Sequence, residues 1–244
     1  LAPSEMCIRD RPGNHETYVA GMKHFQEHFS LPNEVGTTSN HYFERNNVLF
    51  ISLNSNLNKP GDIAAHKEFL RTTVEKHGAS NDWIIVSYHH GPFAQGSHTS
   101  DSDVATLRTE LTPTLSELGV DAVLSGHDHI YTRSHLMEGT KPVVPETRAR
   151  RGDKLTPEEG QVLYLTTTTA GGGKYYDFHD RNGTAHPEAR RELMDTELEQ
   201  PWTAYWNQDY TPDYTNVEVT PTSLTFTTYD VNTHNVVDKV SLNK

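Results

Sequence analysis

Three short motifs concentrate the residue types that hold metals. Gly13-Asn14-His15-Glu16 stands near the start, His89-His90-Gly91-Pro92 follows the apolar run WIIVSY, and Gly126-His127-Asp128-His129 follows VDAVLS. A neutral imidazole is the commonest protein ligand for transition metals, and 15 histidines in 244 residues is several times the usual share. Glycine beside a ligand lets the chain turn sharply, and the alternation of His127 and His129 in an extended segment suits two neighbouring metals better than one. Each motif alone has a plain alternative: Asn14 as a turn residue, His89 and His90 as satisfied histidines at a strand end, residues 126–129 as a polar turn. Together, with two of them directly behind strands, they are read as a metal site. The other histidines, His66 and His135 among them, are read as surface or packing residues.

The elements that must position these motifs are visible as short apolar runs. Residues 48–53 (VLFISL), 83–88 (WIIVSY) and 120–124 (VDAVL) are β-prone and apolar enough to be buried on both faces. Between them Asp62 caps an expected helix carrying Ile63, Phe69, Leu70 and Val74 and closed by Gly78. Asp101 or Asp103 caps a second with Val104, Leu107, Leu111, Leu115 and Leu118, which Pro113 breaks or kinks. Alternating strands and helices imply an α/β domain with a partly parallel sheet, and ligands bind such sheets outside the carboxyl ends of the strands. A further strand, residues 162–167, runs into Ala170-Gly171-Gly172-Gly173, expected to line the rim of the site. Residues 138–160 and 177–215 read as long polar loops, and residues 214–244 as an antiparallel meander.

Composition excludes several classes. The formal charge is −12 and no window approaches the roughly 18 consecutive apolar residues of a bilayer crossing, so neither a nucleic-acid groove nor a membrane span is expected. The single cysteine, Cys7, excludes an internal disulfide framework and a cysteine-based zinc cluster. Residues 6–10 (MCIRD) match the translation of a common library-preparation adapter. Residues 1–11 are therefore expected to be a non-native sequencing scar, with one catalytic domain over 12–244; a longer contig decides it.

In their order and spacing, Gly13-Asn14-His15-Glu16, WIIVSYHHGPF with Gly96-Ser97-His98 behind it, and Gly126-His127-Asp128-His129 with Tyr131 and Arg133 resemble the calcineurin-like metallophosphoesterases, and within them the purple acid phosphatase group. The resemblance covers residues 12–244 in outline. It implies an α/β fold, a βαβ sandwich of mixed sheets flanked by helices, here lacking its first strands. It implies a binuclear metal centre, iron with zinc, manganese or a second iron, and hydrolysis of a phosphate ester by in-line attack of a metal-bound hydroxide. Asn14, His89 and His127 would hold one metal and His129 its neighbour. His15 and His98 would contact the phosphoryl group and protonate the leaving oxygen, with His90 an alternative. Glu16, Asp128, Tyr131 and Arg133 would orient the ligands. It also implies a secreted or otherwise extracytoplasmic protein, for which Asn182-Gly183-Thr184 is a glycosylation acceptor or simply an Asn-Gly turn.

The family's aspartate and Gly-Asp motifs, with the bridging carboxylate and the tyrosine ligand of the purple enzymes, cannot be assigned. A second metal held by one histidine would be poorly retained, so the chain as printed is expected to be nearly inactive. The alternative class is a non-catalytic, histidine-rich metal-binding or scaffold protein on the same fold, distinguished by whether the imidazoles converge or scatter. A metallo-β-lactamase-like reading is weaker, because His-x-His-x-Asp-His is not completed after His129.

Overall fold

The computed structural model describes residues 11–36 and 38–244; residues 1–10, which include most of the expected scar, lie outside the described residues. A 3-10 turn at Asn14–Thr17 leads to helix α1 (Gly21–His28). Strands β1 (His41–Arg45) and β2 (Val48–Ser52) form a hairpin whose two turn residues, Asn46 and Asn47, both have positive φ, the geometry that matches strand twist. Helix α2 (Pro60–His77) leads to β3 (Trp83–His90); helix α3 (Ser102–Thr106), a π-helical turn (Leu107–Leu111) and α4 (Thr112–Glu117) lead to β4 (Ala122–Gly126). There follow β5 (Tyr131–Glu138), β6 (Lys141–Val143), β7 (Asp153–Leu155), β8 (Gln161–Thr166), the short β9 (Phe178–His179) and β10 (Ala185–His186), and β11 (Thr203–Asn207). Strands β12 (Asp213–Thr220), β13 (Ser223–Asp230) and β14 (Val236–Asn243) close the chain.

The main sheet has the order β1-β2-β3-β4-β8-β5-β11, with β6 on β5; β2, β3, β4 and β8 run parallel, and β1, β5 and β11 are antiparallel to their neighbours. The second sheet is β12-β13-β14-β7, in which β7 pairs in parallel with β14. Period-two alternation splits each central strand between two cores. Ile84, Val86 and Tyr88 of β3, with Val162 and Tyr164 of β8, face the helices and meet Ile63, Leu70, Leu107 and Leu115. Trp83 and Ile85, with Leu163 and Leu165, face the second sheet and meet Leu224, Phe226, Val240 and Leu242. The mixed α/β sandwich is thus helices on sheet on sheet. Each fully buried Leu, Ile or Val contributes roughly 1.5–3 kcal/mol, and these central strands contribute to both cores.

Several elements differ from the expectation. The stretches 138–160 and 177–215 are not only loops, since they hold β6, β7, β9, β10 and β11. Asp62 is not the N-cap of α2: its carboxylate accepts from the backbone N–H of Lys59, at 3.1 Å, from three residues inside the helix. The kink expected at Pro113 is a π-helical turn just before it, which frees the proline from an interior hydrogen bond. Asn182-Gly183 forms the turn between β9 and β10, with Gly183 at φ 82° and Asp180 accepting from Asn182 and Thr184 N–H. Among the described residues no helix is long and apolar enough to cross a membrane.

Candidate metal centre

Strand β3 carries one extra residue relative to β4 between Ser87 and His90, a bulge that re-aims His89 and His90 as the strand leaves the sheet. Ser55, just beyond the carboxyl end of β2, fixes that bulge: its hydroxyl accepts from the backbone N–H of His89 and of His90 and lies 2.8 Å from His90 Nδ1. Gly91 follows, where an added Cβ would lie 2.5 Å from Thr166 Oγ1 and 3.0 Å from Ser125 Oγ, so only glycine lets the chain pass this close to β4 and β8. At the end of β4, His127 has φ 71°, a left-handed conformation uncommon for a non-glycine residue and concentrated at functional sites. The Asn14 turn is held to the same edge. Glu16 accepts from the Gly13 N–H at 2.7 Å, and the Asn56 amide donates to the Gly13 carbonyl at 3.0 Å.

These elements bring Asn14, His89 and His127 together. His89 Nε2 lies 2.9 Å from Asn14 Oδ1 and 3.1 Å from His127 Nδ1. His89, His90 and His127 each offer a ring nitrogen within 4.8 Å of the others, and His98, Asp101 and His127 form a second such set. Burial, reinforced by the neighbouring imidazoles, pushes His89 down to about 2 and His127 down to about 3, which leaves both neutral with lone pairs available. His98 stacks on His127 with ring centroids 4.1 Å apart. Its Nδ1 lies 2.7 Å from Asp101 Oδ2 and its Nε2 3.1 Å from the Tyr176 hydroxyl.

His129 and His15 are placed differently. His129 joins neither three-donor set among the described residues; its Nδ1 donates to the Lys174 carbonyl at 2.7 Å and its ring packs on Tyr176. His15 is exposed on the turn, its ring edge-on to Tyr18 and not to the cluster. Asp128 is buried and accepts from the backbone N–H of Gly96 and His98, fixing the loop that presents His98. Tyr131 and Arg133 are not at this edge, because both bond Asp238 between the two sheets. Behind Gly171, Gly172 and Gly173, the Lys174 carbonyl meets His129 and the Tyr176 hydroxyl meets His98. Sequence reading missed Ser55, Asp103 and Tyr176. Only Ser55, directly after a buried strand, carried a positional signal, whereas Asp103, 3.5 Å from His90 Nε2, was visible only as a helix cap.

This chain belongs to the calcineurin-like phosphoesterase family, whose profile matches residues 10–131, half of its length. It is 30% identical over 84 residues to the uncharacterized protein Rv2577 of Mycobacterium tuberculosis (strain ATCC 25618 / H37Rv), covering 33% of this chain and 16% of that protein. Its fold is similar to that of purple acid phosphatase PPD1 from yellow lupin (Lupinus luteus) seeds, with a TM-score of 0.67, 12% identity, and coverage of 97% of this chain and 38% of that one. It is also similar to PhoD, with a TM-score of 0.55 and 14% identity over 98% of this chain and 50% of that one. The chain therefore spans half or less of the length of each of these proteins.

Proposed function

We propose that this chain carries one metal-binding half of a phosphoric ester hydrolase of the acid-phosphatase kind, acting outside the cytoplasm. One observation carries the reading: Asn14 Oδ1 and His127 Nδ1 each lie within hydrogen-bond distance of His89 Nε2 where β3 and β4 end. Converging imidazoles favour the enzyme over a scaffold that displays histidines separately. Two neutral imidazoles and an amide oxygen suit a borderline divalent ion such as zinc or ferrous iron. The neighbouring ion expected on His129 is not assigned, since among the described residues no three-donor set includes His129 and the second set near the cluster, His98, Asp101 and His127, shares His127 with the first.

Asn14, His89 and His127 would hold the ion, which when bound polarises phosphoryl oxygens and lowers the pKa of water. Ser55 and the bulge of β3 keep the donors of His89 and His90 aimed outward from the sheet. His98, carried on the loop that Asp128 fixes, is the proton donor to the leaving oxygen. Asp101 orients its ring through Nδ1, and Nε2 trades its Tyr176 contact for the departing oxygen. Exposed His15, beside Asn14, contacts the substrate from the solvent side.

The test combines metal analysis with turnover. Purified protein equilibrated with Zn²⁺ in the presence of excess Ca²⁺ and then gel-filtered should retain about one zinc ion per chain, a number His89→Ala reduces to near zero. Hydrolysis of p-nitrophenyl phosphate should be weak and should vanish in His89→Ala and fall at least tenfold in His98→Ala. Metal retention indifferent to His89→Ala would overturn the reading, and vigorous turnover would overturn the one-ion assignment.

A further inference from the structure

A second polar cluster lies away from the imidazoles, where the loop between β11 and β12 meets the turn between β13 and β14. The two segments are tied by the Val231 N–H donating to the Pro212 carbonyl at 2.8 Å. Asp209, Asp213 and Asp230 each present a carboxylate oxygen within 4.8 Å of the other two. Asp213 and Asp230 are direct cross-strand partners, only 3% and 4% exposed. Like charges directly opposed on paired strands repel, and burial makes the repulsion larger.

Two of the three carboxylates are engaged. Asp230 accepts from Thr233 N–H and Oγ1, at 2.5 and 2.8 Å, and from Thr211 Oγ1. Asp209 accepts from the Thr211 N–H and the Asn207 amide and shares the single Thr211 hydroxyl proton with Asp230. Asp213 is different: its Oδ1 is buried and has no hydrogen-bond partner among the described residues. Nor, among the described residues, does any Lys, Arg or His form an ion pair with the three. An orphaned carboxylate oxygen facing two other carboxylates in the interior is costly unless a cation completes it. Burial and the charges of Asp209 and Asp230 push Asp213 up to about 8, the response of a carboxyl denied its counter-ion. A cavity of about 490 Å³ opens beside Asp209 and Asp230, with Asp213 behind them and not on its wall; Asn207, Thr211, Thr233 and Asn235 share that wall with Arg151, whose Nε donates to the Val237 carbonyl.

We propose that Asp209, Asp213 and Asp230 bind a hard divalent cation of the calcium class. The donors are all oxygen, with no imidazole or thiolate to favour a transition metal, and water from the open side would complete the six to eight ligands such an ion takes. The ion would pin the β11–β12 loop to the β13–β14 turn. It would also lie near Tyr175, whose phenol is raised by burial and by these three carboxylates, and whose neighbours Lys174 and Tyr176 touch His129 and His98.

The experiment uses the full chain, stripped with EDTA and dialysed. Calcium at about 100 times its Kd should raise the Tm by about 5–10 °C, and Tb³⁺ should give luminescence sensitised by Tyr175 and Tyr210 that calcium displaces. Asp213→Asn and Asp209→Ala should each weaken calcium binding at least tenfold. Asp213→Asn should also melt no lower than the parent in EDTA, because it removes the buried repulsion; this separates lost binding from lost folding. His89→Ala should keep the full calcium response. No calcium-dependent change in Tm at millimolar concentration, an unchanged response in both aspartate variants, or its loss in His89→Ala would overturn the proposal.

Discussion

Two buried polar groups on either side of the main sheet are built on opposite rules. Between the sheets, Arg133 bonds both oxygens of Asp238, at 2.7 and 3.4 Å, and Asp153 at 3.3 Å, while the Tyr131 hydroxyl donates to Asp238 at 3.0 Å. Every charge there has an opposite. At the carboxyl edge His89, His90, His98 and His127 face one another, bases against bases, with carboxylates only behind His90 and His98. The first group is complete within the chain and acts as a cross-link; the second has donors and no acceptor, which is what a cation site looks like from the protein's side. Neighbours in sequence fall on different sides of this divide: His129 belongs to the edge, Tyr131 and Arg133 to the interior.

The contrast breaks most visibly in the interior. Asp238→Ala leaves a guanidinium that is 1% exposed without its main partner, a change expected to cost about 3–5 kcal/mol. Urea or thermal unfolding measures it, and a loss below about 1 kcal/mol would mean the pair is relaxed or hydrated. Replacing Arg133 and Asp238 together with Met and Leu should cost much less than Asp238→Ala, since no charge is then stranded. Neither change should alter metal retention at the edge.

A smaller effect is expected at the edge itself. Gly91→Ala places a methyl against Thr166 and Ser125 and should destabilise by about 1–3 kcal/mol through overpacking. Unlike the interior variants it should also weaken metal retention, because the shift falls between His90 and the β4–β8 edge. Adding Thr166→Ala to make room should restore part of both. Recovery of stability without recovery of metal binding would separate the strand end from the donor geometry.

What was legible in the sequence follows from the same physics. Strands β2, β3, β4 and β8 were readable because burial on both faces demands continuous apolar runs, and His89 and His127 stood out as candidates because they stand at the ends of two of those strands. Strand β1 (HYFER) was missed because it is a half-polar edge. Strand β5 (YTRSHLME) was missed because Thr132, Arg133 and Ser134 are buried polar residues, and the partners of Arg133 and Ser134, namely Asp238, Asp153 and Tyr164, are supplied from elsewhere in the chain. Strand β11 (TAYWN) lay hidden in a polar stretch with one Trp buried at its centre. Grouping Arg133 with the site was a one-dimensional inference: it lies six positions after His127, but β5 carries it between the two sheets.

The smallest effect concerns pH, and it belongs to the interior side of the comparison. His135 on β5 is half-buried two residues from Arg133; burial first, and the Arg133 charge second, lower it from 6.5 to about 4. Between those values the unfolded chain binds a proton that the folded chain refuses. The stability that His135 contributes is therefore present above about 6.5 and is lost as the pH falls toward 4. One proton changes stability by at most about 1.4 kcal/mol per pH unit, and partial exposure of the ring reduces that. Because His66, His89 and His127 are lowered too, the informative quantity is the difference between the parent and His135→Gln. Urea unfolding from pH 7.5 to 4.5 should give equal stabilities at the top of the range and a shallower fall in the variant; parallel curves would show that neither burial nor the Arg133 charge holds His135 down.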